Sequence, residues 1–121
     1  MGTLEIEREQ RGTHLIVRVT GELDISTAGT FRGQVDQWLA ESRSRDLLLN
    51  LRHMTFLDSV GLGAILGRLR TLQRAGGRLA IVEPEGPVRA ILRIGGLDKV
   101  ASLYTSERAA VAAWEASERG A

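Results

Sequence analysis

The 121-residue chain contains no cysteine. That excludes a disulfide frame, a thiolate metal site and a thiol nucleophile together. It has two histidines, His14 and His53, with no H-E-x-x-H or paired-His pattern and no acid cluster, so nothing signals a metal. No apolar run approaches the roughly 18 residues of a membrane-spanning helix. Charge of one sign is also lacking. The net charge is +1, and the cations, 15 Arg and only Lys99, are scattered. Neither nucleic acid nor an acidic membrane surface is an expected partner. The first ten residues, MGTLEIEREQ, are charged and lack the apolar centre of a signal peptide. A cytoplasmic protein without a cofactor is the expectation.

What is present is ordinary for a globular domain: 43% hydrophobic and 26% charged residues. A chain of this length predicts one domain over 1–121, with its core over about 4–115. Residues 3–9 alternate, with Leu4 and Ile6 on one side and Glu5 and Glu7 on the other, which predicts a half-exposed strand. Gly12 marks a turn. HLIVRVT, 14–20, predicts a second strand and a hairpin, with Arg18 breaking its apolar run. The connector Gly21-Glu22-Leu23-Asp24 follows, and Asp24 or Ser26 is placed to cap a helix. In that helix Ala28, Phe31, Val35, Trp38 and Leu39 recur at helical spacing.

DLLLNL, 46–51, suits a strand buried on both faces. Leu62, Ile65, Leu66, Leu69 and Leu72 form a stripe of period 3.6, stopped by Gly76-Gly77. RLAIV, 78–82, is the next strand. Pro87 is suited to a first helical turn, and a short helix carries Val88, Ile91 and Leu92. KVASLY, 99–104, predicts a last strand, and Ser106 is placed to cap a final helix with Val111 and Trp114. The order β-β-α-β-α-β-α-β-α predicts an α/β domain: a mixed, mostly parallel sheet of four to five strands with about four helices. If the second and third strands are parallel neighbours, Glu22–Asp24 and Asp58–Ser59 share the edge where open α/β sheets place their sites.

The stretch MTFLDSVGLG, 54–63, admits several readings. Asp58 is a good N-cap and Ser59 an ordinary first-turn residue. That leaves Gly61, Gly63 and Gly67 unexplained, since each costs a helix about 1 kcal/mol against Ala. Close packing on the sheet, or close approach of a partner, offsets such a cost. A dinucleotide loop, with Glu83 as the ribose-binding acid, fails on position, because the stripe starting at Leu62 puts Gly63 and Gly67 inside the helix. A hydrolase elbow needs Gly at position 57, which is Leu57, and both histidines precede Ser59, with His14 placed mid-strand and His53 in a loop, each expected as a surface or edge residue. These readings make the alternative function a small nucleotide-binding or hydrolytic domain using the Asp58–Gly63 loop. In the last reading Ser59 is itself a substrate, an accessible phosphoacceptor at a helix N-terminus.

FLDSVGLGAILGRLRTLQRAGG, beginning at Phe56, resembles the signature of bacterial anti-sigma factor antagonists of the STAS domain family. VTGELDISTA, 19–28, is similar to their second motif, and GGLDKV, 95–100, to the short apolar segment before their last strand. The likeness is greatest to the sporulation branch, and the stress-response antagonists are similar enough to stay open beside it. It implies a STAS fold and no enzymatic activity of the chain's own. It implies that the unphosphorylated protein binds an anti-sigma factor serine kinase and frees the sigma factor. Phosphorylation of Ser59 would end that binding, and a protein serine phosphatase would restore it. Glu22 and Asp24 match the acidic connector offered to the kinase. Asp58, Leu62 and Gly63 match the rim around the acceptor. Val60 replaces a Ser or Thr found in many members, which leaves Ser59 the sole acceptor of the motif. A monomer is expected. The family also includes domains attached to sulphate transporters, and no transmembrane segment accompanies this one.

Overall fold

Ten elements follow one another in a computed structural model that describes residues 2–42 and 44–120. Met1 and Ala121, the ends of the expected domain span, and Arg43 lie outside the described residues. The elements are β1 (Leu4–Arg11), β2 (His14–Leu23), α1 (Ala28–Ser42), β3 (Asp46–Leu57) and α2 (Ser59–Arg74). They continue with β4 (Leu79–Val82), α3 (Pro87–Ile94), α4 (Leu97–Val100), β5 (Ser102–Tyr104) and α5 (Glu107–Gly120). The strands form one sheet in sequence order, β1-β2-β3-β4-β5. Only β1 and β2 are antiparallel.

Parallel strands added in one direction place their connecting helices on one face. Leu15, Val17, Leu47, Leu49 and Ile81 meet Phe31 and Val35 of α1, Ile65 and Leu69 of α2, and Val88 and Leu92 of α3 in one buried cluster. Ile16, Leu48, Ala80 and Val82 point the other way and are covered by Ala110, Val111 and Trp114 of α5. Because both faces of these strands are buried, they read as continuous apolar runs. The mixed α/β sheet is the expected architecture, with five strands.

Three expectations are corrected. β3 does not stop with the apolar run but continues to Leu57. Its second half pairs with Thr20–Leu23 of β2, whereas the last β3–β4 pair is Asn50 with Val82. This half is covered on fewer sides, so it carries Arg52, His53 and Thr55 as well as the buried Met54 and Leu57. His53 therefore lies in a strand and not in a loop. Second, Lys99 and Val100 are helical, which makes five helices, and β5 is only three residues long. Gly96, at φ 84°, turns the chain so that Leu97 reaches the core and starts a new helical turn. Third, His14 is a buried residue and not a surface one.

Polar groups hold α5 in place at both ends. Arg18 emerges mid-sheet and donates to Glu107 at 2.8 and 2.9 Å and to Glu9 at 2.7 Å. Asn50 donates to the same Glu107 carboxylate at 2.6 Å. That network accounts for the charge that interrupts β2. At the other end, His14 Nε2 lies 3.1 Å from Glu118, and Arg78 bonds Asp46 at 2.7 Å and Glu118 at 3.2 Å. The His14 and Arg78 side chains both pack on the Trp114 ring. Hydrogen bonds from Arg18 hold the Glu107 carboxyl below the usual range, and the contact with His14 does the same for Glu118. At Asp46 burial pushes upward, and the hydrogen bonds and charge of Arg78 outweigh it.

A carboxyl whose pKa is lowered on folding stabilises the fold above its unfolded value and loses that contribution as pH falls through the folded one. The attachment of α5 is therefore complete at neutral pH and weakens below about pH 4. Urea unfolding at pH 7 and pH 3.5 should show a smaller acid-induced loss of stability for Glu107→Gln than for wild type. An identical loss in both would remove Glu107 from the acid response.

Candidate partner-binding site at the carboxyl edge

β2 and β3 end together, with Glu22 opposite Phe56 and Leu23 opposite Leu57. Two turns leave from this edge, and two carboxylates shape them. Asp58 is extended, at φ −107°, and its Oδ1 accepts from the Gly61 amide at 2.8 Å. It is the N-cap that the sequence predicts, satisfying a donor that the helix cannot. Its other oxygen, Oδ2, accepts from the Ile25 amide at 3.0 Å. One side chain thus ties the turn before α1 to the start of α2. No local spacing signals this second bond, because the partners are 33 residues apart.

Asp24 does the equivalent work for α1. Its Oδ1 accepts from the amides of Ser26 at 2.8 Å and Thr27 at 3.1 Å, and from the Ser26 hydroxyl at 2.6 Å. Its carbonyl accepts from the Ala28 amide at 2.8 Å. Of the two expected caps, Asp24 is therefore the one that opens the helical turn. The Ser26 hydroxyl, followed by the amides of Ser26 and Thr27, holds the Asp24 carboxyl below its usual range, so it is charged at neutral pH. Thr27, absent from the sequence-based candidates, is buried and locks the turn. Its Oγ1 donates to the Glu22 carbonyl at 2.8 Å and accepts from the Asp24 amide at 2.9 Å. The backbone of Gly2 also lies here, so close that a Cβ would collide with the carboxylates of Asp24 and Glu22.

The remaining candidates surround this staple. Ser59 is the first residue of α2 and is exposed; Leu62 is half-buried and Gly63 exposed. Glu22 and Asp24 are half-buried at the end of β2. All six expected site residues therefore lie on one edge. Three exposed apolar side chains outside the six expected site residues join them: Ile25 at 76% exposure, Phe56 at 48% and Val60 at 38%. The three glycines of α2 separate into two kinds. At Gly61 a Cβ would run into the Leu23 carbonyl, so this glycine lets helix and strand approach. At Gly63 and Gly67 a Cβ would meet nothing within 4 Å. Sheet packing explains the first and not the other two. Ser59, Gly63 and Gly67 recur at four-residue intervals and share one helix face.

The catalytic readings lose their parts. Gly61 and Gly63 are within α2, not in a loop before it. Glu83, the supposed ribose acid, is buried and held by Arg93 at 2.8 and 3.0 Å. His14 belongs to the opposite end of the sheet, opposite Asp46, roughly 35 Å from Ser59 by the rise of β3. His53 lines a separate cleft of about 500 Å³ with Arg52, Met54, Thr55, Glu85, Pro87 and Val88, and no residue of 58–63 reaches it. His14, Asp46 and Glu118 come close enough to suggest a metal, but Arg78 already supplies their positive charge.

The model of the STAS domain family matches residues 5–110. The chain belongs to the STAS domain family. It is 38% identical, over 104 residues, to an anti-sigma F factor antagonist of Paenibacillus polymyxa; the match spans 86% of this chain and 89% of that one. It superposes with a TM-score of 0.81 on an anti-sigma factor antagonist from Mycobacterium paratuberculosis, at 28% identity over 92% of this chain and 93% of the other. The fold is also that of SpoIIAA, an anti-sigma factor antagonist, in its unphosphorylated form, with a TM-score of 0.79, 24% identity and coverage of 93% and 97%. The phosphorylated form of the Bacillus SpoIIAA gives 0.70 at 24% identity, covering 88% and 96%. Among the described residues of this STAS domain, no helix is long and apolar enough to cross a membrane.

The glycine contrast in this STAS domain is testable by thermal unfolding. Gly61→Ala should lose about 1–3 kcal/mol from overpacking against β2. Gly63→Ala and Gly67→Ala should instead gain about 0.5–1 kcal/mol each. A stabilising Gly61→Ala would mean that the close approach of helix and strand has been misjudged.

Proposed function

We propose that this chain is an anti-sigma factor antagonist switched by phosphorylation of Ser59. In the unmodified form it docks on an anti-sigma factor serine kinase and frees the sigma factor. The kinase transfers phosphate to Ser59, the complex separates, and a protein serine phosphatase regenerates the binding form. The chain performs no catalysis itself. It works in the cytoplasm as a monomer, with no cofactor.

The observation that carries this reading is the placement of Ser59: exposed, on the first turn of α2, beside the Asp58 staple and the acidic end of β2. The names of the similar proteins support it, and so does the existence of both phosphorylated and unphosphorylated forms of a protein with this fold. The energetics favour a switch in binding over a switch in folding. A phosphoserine brings about −1.5 to −2 charges at pH 7. At a helix N-terminus the macrodipole favours that charge by about 0.3–1 kcal/mol, so the domain keeps its fold. A partner fitted over the hydroxyl meets the same group as a clash and as an unpaired desolvated charge, worth several kcal/mol. Charged Asp24 beside it suits a cation on the partner, and Ile25, Phe56 and Val60 suit an apolar one.

Intact mass after incubation with ATP and the anti-sigma factor kinase of the same genome should rise by one phosphate in wild type and stay unchanged in Ser59→Ala. Ser59→Ala should still bind that kinase, whereas Ser59→Asp should keep its thermal midpoint and bind at least a hundredfold more weakly, the equivalent of about 3 kcal/mol. Phosphate uptake by the Ala variant would place the acceptor elsewhere. Nucleotide or ester turnover by the chain alone would favour the hydrolytic alternative.

A further inference from the structure

β3 runs on past its neighbour. Its last partner in β4 is opposite Asn50, at Val82, where β4 ends. From Leu51 to Leu57 it keeps β2 on one side and has no strand on the other among the described residues. The chain leaving β4 turns toward β5: Glu83 donates its amide to the Tyr104 carbonyl at 2.9 Å, and Pro87 then starts α3. What is left between β3 and the first turn of α3 is the cleft of about 500 Å³. Successive side chains of a strand point to opposite faces. Arg52, His53, Met54 and Thr55 are successive, and all of them line this cleft, so it runs along the edge of β3 and not over either face.

A free strand edge presents N–H and C=O groups in the pattern that another strand pairs with. Water is a poor filling for this one, because Met54 and Val88, at 3% and 4% exposure, form an apolar floor that offers it no hydrogen bond. The charges at the rim are unpaired as well. Arg52 donates to the Thr105 carbonyl at 3.4 Å, across the end of β4, and neither Arg52 nor Glu85 has an ion-pair partner among the described residues. We propose that this cleft takes an extended segment of a partner protein, which joins the sheet as an added strand beside β3. Charge complementarity and the floor define that segment: an apolar residue over Met54 and Val88, an acid toward Arg52 and a base toward Glu85. In such strand addition the main-chain hydrogen bonds give affinity and the side-chain pockets give specificity. No residue of 58–63 lines the cleft, so the inference stands whether or not Ser59 accepts phosphate.

The probe is a synthetic heptapeptide, blocked at both ends, that alternates Val and Thr between a terminal Glu and a terminal Lys. Its reversed sequence tests the other strand direction. Titration followed by heteronuclear NMR should give a Kd of about 100 μM for one of the two, with shifts centred on residues 51–57 and 83–88. Methylating alternate amide nitrogens of that peptide should abolish binding in one phase and spare it in the other, because a strand pairs through one edge only. Arg52→Glu, its fold confirmed by circular dichroism, should weaken binding about tenfold, and a peptide with Lys in place of the Glu should recover it. No shift with either peptide at about ten times that concentration, or equal binding by both methylated forms, would overturn the added strand. Concentration-dependent dimerisation that Arg52→Glu abolishes would assign the cleft to a second copy of the chain and overturn it too.

Discussion

The carboxylate of Asp58 is the constraint on which the rest of the site depends. It has two oxygens and two donors, the Gly61 amide inside α2 and the Ile25 amide in the turn before α1. The Gly61 donor lies at a partly buried junction, where a lost partner costs about 1–3 kcal/mol, while the Ile25 amide is exposed. By satisfying both, one residue sets the separation between two segments that pack on the sheet independently. Ser59 follows Asp58 directly, so its position is inherited from that bond. Ile25 is displayed by the same bond, with 76% of its surface exposed. A short hydroxyl-bearing side chain at Asp58 could cap the helix but could not span both turns.

The scaffold would let a charge change at this edge, as the proposed function requires, without consequences elsewhere. The core beneath is apolar on both faces of the sheet. The titratable networks that anchor α5, around Arg18 and Glu107 and around Arg78 and Glu118, lie on the opposite face. The Glu83–Arg93 pair fixes the last turn of α3. At the screening length of about 8 Å in physiological salt, the two α5 networks, set well down β3 at Asn50 and Asp46, are largely insulated from a phosphate on an exposed hydroxyl. The division is spatial: ion pairs for holding helices down, an isolated acidic rim for recognition.

Much of this was readable from residue order, and the failures have physical causes. The cap at Asp58, the helix stripe from Leu62 to Leu72, the Pro87 start of α3 and the shared edge of β2 and β3 all follow from local chemistry or short-range periodicity. The second half of β3 was not readable, because a strand paired on one side with exposed residues such as Arg52 and His53 has neither an apolar run nor a clean alternation. α4 was missed because four residues make too short a pattern, and its start depends on the left-handed turn at Gly96. The Ile25–Asp58 bond and the Gly95–Leu62 contact join residues about 30 positions apart, which no window on the chain detects. The apolar rim was invisible for the same reason. Ile25, Phe56 and Val60 belong to separate elements and become neighbours only when the turn before α1, the end of β3 and the start of α2 meet.

The glycines bring these lines together. A helix carrying Gly63 and Gly67 in open space sacrifices about 1–2 kcal/mol of its own stability for both. Such a cost has no return within the fold, since Gly61 alone provides the close approach to β2. It falls on the same face as Ser59, at intervals that leave the outer surface of α2 flat beside the acceptor. A flat backbone lets another protein approach the hydroxyl more closely than side chains would allow, and close approach is what makes an added phosphate intolerable. If the interface were distant or water-filled, the same charge would be screened and the change in affinity would be small. Under the proposed function, intrinsic stability lost in α2 and a large phosphate effect at Ser59 would be two results of one requirement, that the partner sit directly on the helix.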